Sequence, residues 1–231
     1  MKKTDIFVIL VCILVLSPFF IFDSVYEGYL QLNRSYPLLT AFFKFAILAT
    51  FGEVLGVRIK TKSYQLTNFG LLPRAVVWGF LGMWIALAIT VFRNGVPLFL
   101  QQYSLFNGIE TAMQGGFSGM KLFGAFAISV VMNTSFAPVF MTIHKITDTH
   151  IATYGGSVQC LTKPIAIKQT LNQLNWNVLW GFVFKKTIPF FWIPAHTITF
   201  ILPKDLQVLF AAICGIALGL ILAIASLKKD N

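Results

Sequence analysis

Charged side chains are what this chain has least of. Only 11% of its 231 residues are Asp, Glu, Lys or Arg, while 57% are hydrophobic and the mean hydropathy is +0.77. A soluble domain carries roughly 25% charged residues, so composition excludes an ordinary soluble fold and points to a membrane chain. Acidic residues are scarcer than basic ones, 8 against 18, which gives a net charge of +10. The basic residues flank apolar runs and form no stripe interleaved with exposed aromatics, a pattern of membrane topology and not of nucleic-acid binding. Cysteine is nearly absent: Cys12 and Cys214 lie in apolar runs and Cys160 in a polar stretch, which suggests neither a disulfide framework nor a metal cage.

Soluble catalytic motifs are missing too. There is no Gly-rich phosphate loop, no H-E-x-x-H, no G-x-S-x-G and no pair of carboxylates within one apolar run. His144 and His150 would fall on opposite sides of a helix running through both, which argues against a shared metal. The expectation is a non-enzyme without cofactor or metal.

What the chain does have is long apolar runs, at residues 6–22, 37–57, 73–92, 122–141, 187–202 and 206–226. A hydrocarbon core of ~30 Å needs about 20 residues of helix. The fold class expected is therefore all-α: a polytopic transmembrane helical bundle of six spans. The first run has the basic start and apolar centre of a secretory signal without a small-x-small cleavage site, and is expected to be a retained span. It makes residues 1–28 an additional N-terminal helix ahead of a helical domain over 29–231.

With the N-terminus inside, thirteen Lys and Arg residues, among them Lys60, Arg74, Lys145, Lys185, Lys228 and Lys229, face the cytoplasm, and only Arg34, Arg93, Lys121 and Lys204 face the other side. This asymmetry places both termini inside. Residues 168–184 set Leu171, Leu174, Val178 and Phe182 on one face with Trp176 and Trp180 at headgroup level. That pattern predicts an amphipathic helix lying in the interface; running it on into the membrane would bury Lys185 and Lys186.

Polar groups inside the spans are the candidate functional residues. Lys44 lies seven residues beyond Pro37, about 10 Å into the bilayer by helix rise. Its alternative is to snorkel outward. Glu53 closes the same span, either as a functional group or paired with Arg74 or Arg58. In the fourth span Ala125, Ser129, Asn133 and Ala137 form a small, slightly polar face ahead of the helix-shaping Pro138, suited to lining a cavity or to packing. Ala211, Gly215, Gly219 and Ala223 make a small-residue stripe in the last span, and Ala75, Gly79, Gly82 and Ala86 a less regular one in the third. Both predict close helix packing, within one chain or across a homo-oligomer. Residues 189–203, "PFFWIPAHTITFILP", carry Pro189 in an expected first turn and Pro194 at an expected mid-helix kink, with His196 and Thr199 on one face just beyond it. Threonine back-bonding to the helix is the plain alternative for Thr199. Pro203 ends the stretch in a tight hairpin.

These last residues carry a resemblance. Trp192, Pro194, His196, Thr199, Phe200, Pro203 and Gln207 follow the order of a C-terminal signature, with His196, Thr199 and Gln207 where Gln, Asn and Arg are usual and the step from Thr199 to Pro203 one residue short. Upstream, Tyr29, Pro37, Gly52-Glu53, Arg74, Gly79 and Phe136-Ala137-Pro138 fall in matching order, so the similarity covers roughly residues 29–227. The chain resembles a bacterial-type member of the Mpv-seventeen and peroxisomal membrane protein family.

Members of that family are multi-pass proteins of mitochondrial inner, peroxisomal or vacuolar membranes, and several are thought to form weakly selective channels. The resemblance implies a channel or pathway for small solutes or ions of low selectivity. The rival expectation is a non-conducting scaffold that binds membrane proteins or lipids, and a weaker one an intramembrane enzyme using His196 with Glu53 or Lys44. The N-terminus lacks an Arg- and Ser-rich transit segment, which favours a bacterial cytoplasmic membrane over an organellar one.

Overall fold

The computed structural model describes residues 2–227; Lys228 and Lys229, expected on the cytoplasmic face, lie outside the described residues. Every regular element among the described residues is helical. The chain divides into two compact units, one ending at Thr40 and the other beginning at Ala41.

The first unit holds α1 (Lys3–Leu16), α2 (Pro18–Ile21) and α3 (Asp23–Ser35). No residue of α1 is buried, although the helix is apolar on all sides. Pro18 stands at the start of α2, where its missing N–H costs nothing. Within this unit Phe19 and Tyr29 meet edge to face at 5.8 Å, and Thr40 donates to Asn33 Oδ1 at 3.0 Å.

The second unit is built on α4 (Pro37–Thr61) and α5 (Leu71–Leu100), whose 25 and 30 residues give lengths of about 37 and 45 Å at ~1.5 Å per residue. α6 (Ile109–Gln114), α7 (Gly119–Ser135), α8 (Ala137–Thr153), α9 (Ile167–Gln173), α10 (Trp176–Val178), α11 (Ile193–Ile201) and α12 (Lys204–Leu227) follow. Its main core joins Phe45 and Ala49 of α4, Ile89 and Val96 of α5, Ala125, Ile128 and Met132 of α7, Phe200 of α11, and Ala211 and Ala212 of α12.

Among the described residues, four helical stretches are long and apolar enough to cross a membrane: 3–21, 37–61, 71–100 and 204–221. A fifth is available if the segments 104–114 and 119–135, bent by 93°, count as one broken span. The apolar runs predict six spans; length and composition of the helices support four to five.

Two expected boundaries move. The run at 122–141 is not one helix, because the ladder breaks after Ser135 and restarts with Pro138 in the first turn of α8. Pro138 has no N–H for the preceding turn, and the hydroxyls of Thr134 and Ser135 bond back to Val130 and Val131 carbonyls at 2.8 and 2.6 Å. The second correction concerns the interfacial helix at 168–184 and the span at 187–202. The break falls earlier, at Leu174 and Asn175, where Asn175 Oδ1 accepts from Val178 N at 3.1 Å to start a new helix. From there the helical path is continuous over 176–201, and its stretch Leu179–Trp192 is π-helical. Lys185 and Lys186 are therefore mid-helix and exposed. Pro189 is interior to the π-helical stretch and not in a first turn, and Pro194 stands at the start of α11, where the path tightens from π to α. The wider ladder relieves the clash a proline ring makes with the carbonyl four residues back, so a change of winding replaces the expected mid-helix kink.

Candidate functional site

The second unit encloses a cavity of about 530 Å³ between α4, α5, α7, α8, α11 and α12. Small residues create the space. On α4 these are Ala49, Gly52 and Gly56, and on α12 they are Ala211, Gly215 and Gly219. At Gly52 the two helices touch, since a Cβ there would meet the Ile216 backbone at 3.1 Å, and a Cβ on Gly219 would stand 3.7 Å from the Gly52 carbonyl oxygen. Gly56 and Gly215 have open space where a Cβ would stand. Of the glycines expected to pack helices, Gly79 and Gly82 do so against Phe42 and Phe45, whereas Gly215 faces the cavity. Aromatic rings supply part of the remaining wall: Phe45, Trp78, Phe136, Phe140 and Trp192.

A charged cluster lies along one part of the lining. Arg74, in the first turn of α5, donates from Nη1 to Glu53 Oε2 at 2.8 Å and to Asp148 Oδ1 at 2.6 Å, and from Nε to the Phe69 carbonyl at 2.8 Å. Trp78, one turn on, donates its indole N–H to Glu53 Oε1 at 3.0 Å. His144 on α8 stacks edge-on against Trp78 at 4.3 Å and stands 3.7 Å from both Glu53 and Asp148. Lys60 and Lys145, both exposed, complete this end, and Lys145 is 3.6 Å from Asp148.

Glu53, His144 and Asp148 offer three ligand atoms within 4.8 Å of one another, a donor set with the chemistry to hold a divalent cation. Arg74 already bonds to both carboxylates, so the cluster has a resident cation of its own.

The other polar part of the lining is deeper. Asn133 on α7 is 1% exposed; it donates to the Ser129 carbonyl at 2.8 Å and meets His196 Nδ1 of α11 at 3.0 Å. Ser129 in turn donates to the Ile193 carbonyl at 2.7 Å. The polar face foreseen on α7 thus ties α7 to α11 and also meets the cavity.

The expected site residues separate into two groups. Glu53, Asn133 and His196 share the cavity lining. Lys44 and Thr199 are buried but outside it: the Lys44 charge interacts with Asp205 of α12, and the Thr199 hydroxyl bonds back to the Ala195 carbonyl at 3.0 Å. Pro203 forms the short turn between α11 and α12, and Gln207 is buried with its amide donating to the Leu202 carbonyl at 3.0 Å. Sequence reasoning missed His144 and Asp148 as partners of Glu53. Their spacing of four residues, which stacks them on one face of α8, is the signal that could have found them.

No family model, curated protein or solved structure matches this chain.

Proposed function

We propose that the chain is an integral membrane protein providing a pathway for small solutes, and that the cavity of the second unit is part of that pathway. The observation that supports it is the lining itself, which includes the exposed Lys60 and Lys145 as well as the deeply buried Asn133 and His196. A helix bundle whose task was packing alone would close such a space, because protein interiors fill to crystal-like density. The relationship to the Mpv-seventeen and peroxisomal membrane protein family belongs to the same reading. Gly52, Glu53, Arg74, Phe136, Trp192 and His196, which carry the resemblance, all contribute to this one cavity. A bacterial cytoplasmic membrane, with both termini and the Arg74 cluster on the cytoplasmic side, is the topology this reading takes.

Flux into liposomes reconstituted with the purified full chain tests it. Wild-type protein is expected to raise the permeation of small uncharged solutes above that of protein-free vesicles. Gly215→Leu places its Cβ where no atom lies within 4 Å, so it is expected to lower permeation while the thermal unfolding midpoint stays at or above the wild-type value. Absence of wild-type flux, or equal flux in the variant, overturns the proposal; the former, together with capture of membrane partners, favours the scaffold.

A further inference from the structure

The deep end of the cavity holds one hydrogen-bonding atom that the fold does not use. His196 is 9% exposed, and Trp192 stacks on its ring at 5.1 Å. Its Nδ1 lies 3.0 Å from Asn133 Nδ2 and 3.2 Å from Asn133 Oδ1. The orientation of that amide is fixed independently: Nδ2 is 2.8 Å from the Ser129 carbonyl oxygen, which only accepts. For the second hydrogen of Nδ2 the acceptors in reach are His196 Nδ1 at 3.0 Å and Ser129 Oγ at 3.2 Å, and the nearer Nδ1 takes it. With Nδ1 accepting, the proton of the neutral imidazole stands on Nε2. Nε2 makes no hydrogen bond among the described residues, and His196 lines the cavity.

The surroundings define what would satisfy that N–H. The walls around the cavity are largely apolar and aromatic, with Phe45, Trp78, Met132, Phe136 and Trp192 among them. The charged groups of the lining are accounted for elsewhere, Glu53, Arg74 and Asp148 within their own cluster and Lys60 and Lys145 where the lining is exposed. An ion placed beside His196 would lose its water and find no opposite charge, which is prohibitive. An uncharged oxygen acceptor on an apolar body meets no such penalty. The volume of about 530 Å³ also falls in the range of small-molecule sites, roughly 300–1,000 Å³.

We infer that the cavity binds an uncharged molecule with an aromatic or otherwise apolar body and a carbonyl oxygen, which accepts a hydrogen bond from Nε2–H of His196 while the body lies against the aromatic wall. The inference rests on the pathway reading above, and names the class of solute that pathway takes.

The test uses the full chain in micelles with ¹⁵N-labelled histidine, and acetophenone as the probe. Nε2 of His196 is expected to be the protonated nitrogen. Its resonance should move saturably on addition of acetophenone, and not on addition of ethylbenzene, which lacks the carbonyl, or of benzoate, which carries a charge. His196→Phe should abolish acetophenone quenching of tryptophan fluorescence while the His144 and His150 resonances stay in place. An unprotonated Nε2, an equal response to ethylbenzene, or a stronger response to benzoate overturns the inference, and the first two need no variant. Its failure is separable from that of the pathway: liposome flux without an acetophenone shift removes the solute class and leaves the pathway, whereas the shift without flux leaves a binding site and removes the pathway.

Discussion

Arg74 of α5 and Asp148 of α8 meet at 2.6 Å across 74 residues of sequence, and the same Nη1 reaches Glu53 of α4 at 2.8 Å. One guanidinium therefore joins three helices at the wall of the cavity. The side chains are only 16%, 22% and 19% exposed for Arg74, Glu53 and Asp148, so solvent screens them weakly. Arg74→Leu leaves Glu53 without a cation and Asp148 with only the exposed Lys145 at 3.6 Å, and is expected to cost about 3–5 kcal/mol of stability, measured by unfolding in detergent. Arg74→Lys should cost less, because it keeps the charge but loses the fork that serves two carboxylates and the Phe69 carbonyl together. Equal stability of Arg74→Leu and wild type would contradict this account.

Glycines of this chain should respond oppositely to the same added methyl. At Gly82 a Cβ would lie 2.4 Å from Phe45 Cβ, an atom close to the α4 backbone that has little room to retreat. Gly82→Ala is expected to destabilise by about 1–3 kcal/mol through overpacking. At Gly215 the same methyl meets nothing, and the gain in helix propensity should stabilise α12 by about 0.5–1 kcal/mol. Parallel thermal unfolding of the two variants reads both signs.

Asn133→Ala should destabilise by about 1–3 kcal/mol, since it strips a partner from the Ser129 carbonyl and from His196 Nδ1 in a buried setting. The loss should shrink in a His196→Leu background, where one of those stranded groups no longer exists. A double-mutant cycle checks this; strict additivity would mean that the two side chains are not coupled.

Lys60 and Lys145 both belong to the lining near the Arg74 cluster and are exposed. Single cysteines at these two positions, in a chain lacking the native cysteines, are expected to react with an impermeant maleimide from the same side of a sealed vesicle. Modification of the two from opposite sides would remove the proposed topology.

Several of these relationships are legible in the sequence alone. The long apolar runs announce α4, α5 and α12, the helices long and apolar enough to cross a membrane. That Glu53 pairs with an arginine follows from charge in a setting where an unpaired carboxylate is expensive, although the sequence leaves Arg74 and Arg58 both open. The meeting of Asn133 with His196 is not legible, although each residue stands out separately, since nothing local says which helix lies against which. The π-helical winding over Leu179–Trp192 is hidden for a different reason: helical periodicity assumes one winding throughout, and a wider ladder rotates every later side chain out of the expected phase. The sequence pattern splits the path at Lys185 and Lys186 because burying two charges is costly, whereas the helical path continues through them with both exposed. Gly215 shows a third limit: within one chain it packs against nothing. A small residue permits close approach equally well whether a neighbour arrives or not, and spacing alone does not distinguish contact from open space.

The open positions at Gly56 and Gly215 make the width of the cavity an adjustable trait. At each an added Cβ meets no atom within 4 Å, so a graded series through Ala, Val and Leu is expected to narrow the cavity in steps. In the proposed pathway the size limit would then be set at two positions, and single substitutions there would change it while the rest of the bundle stayed fixed.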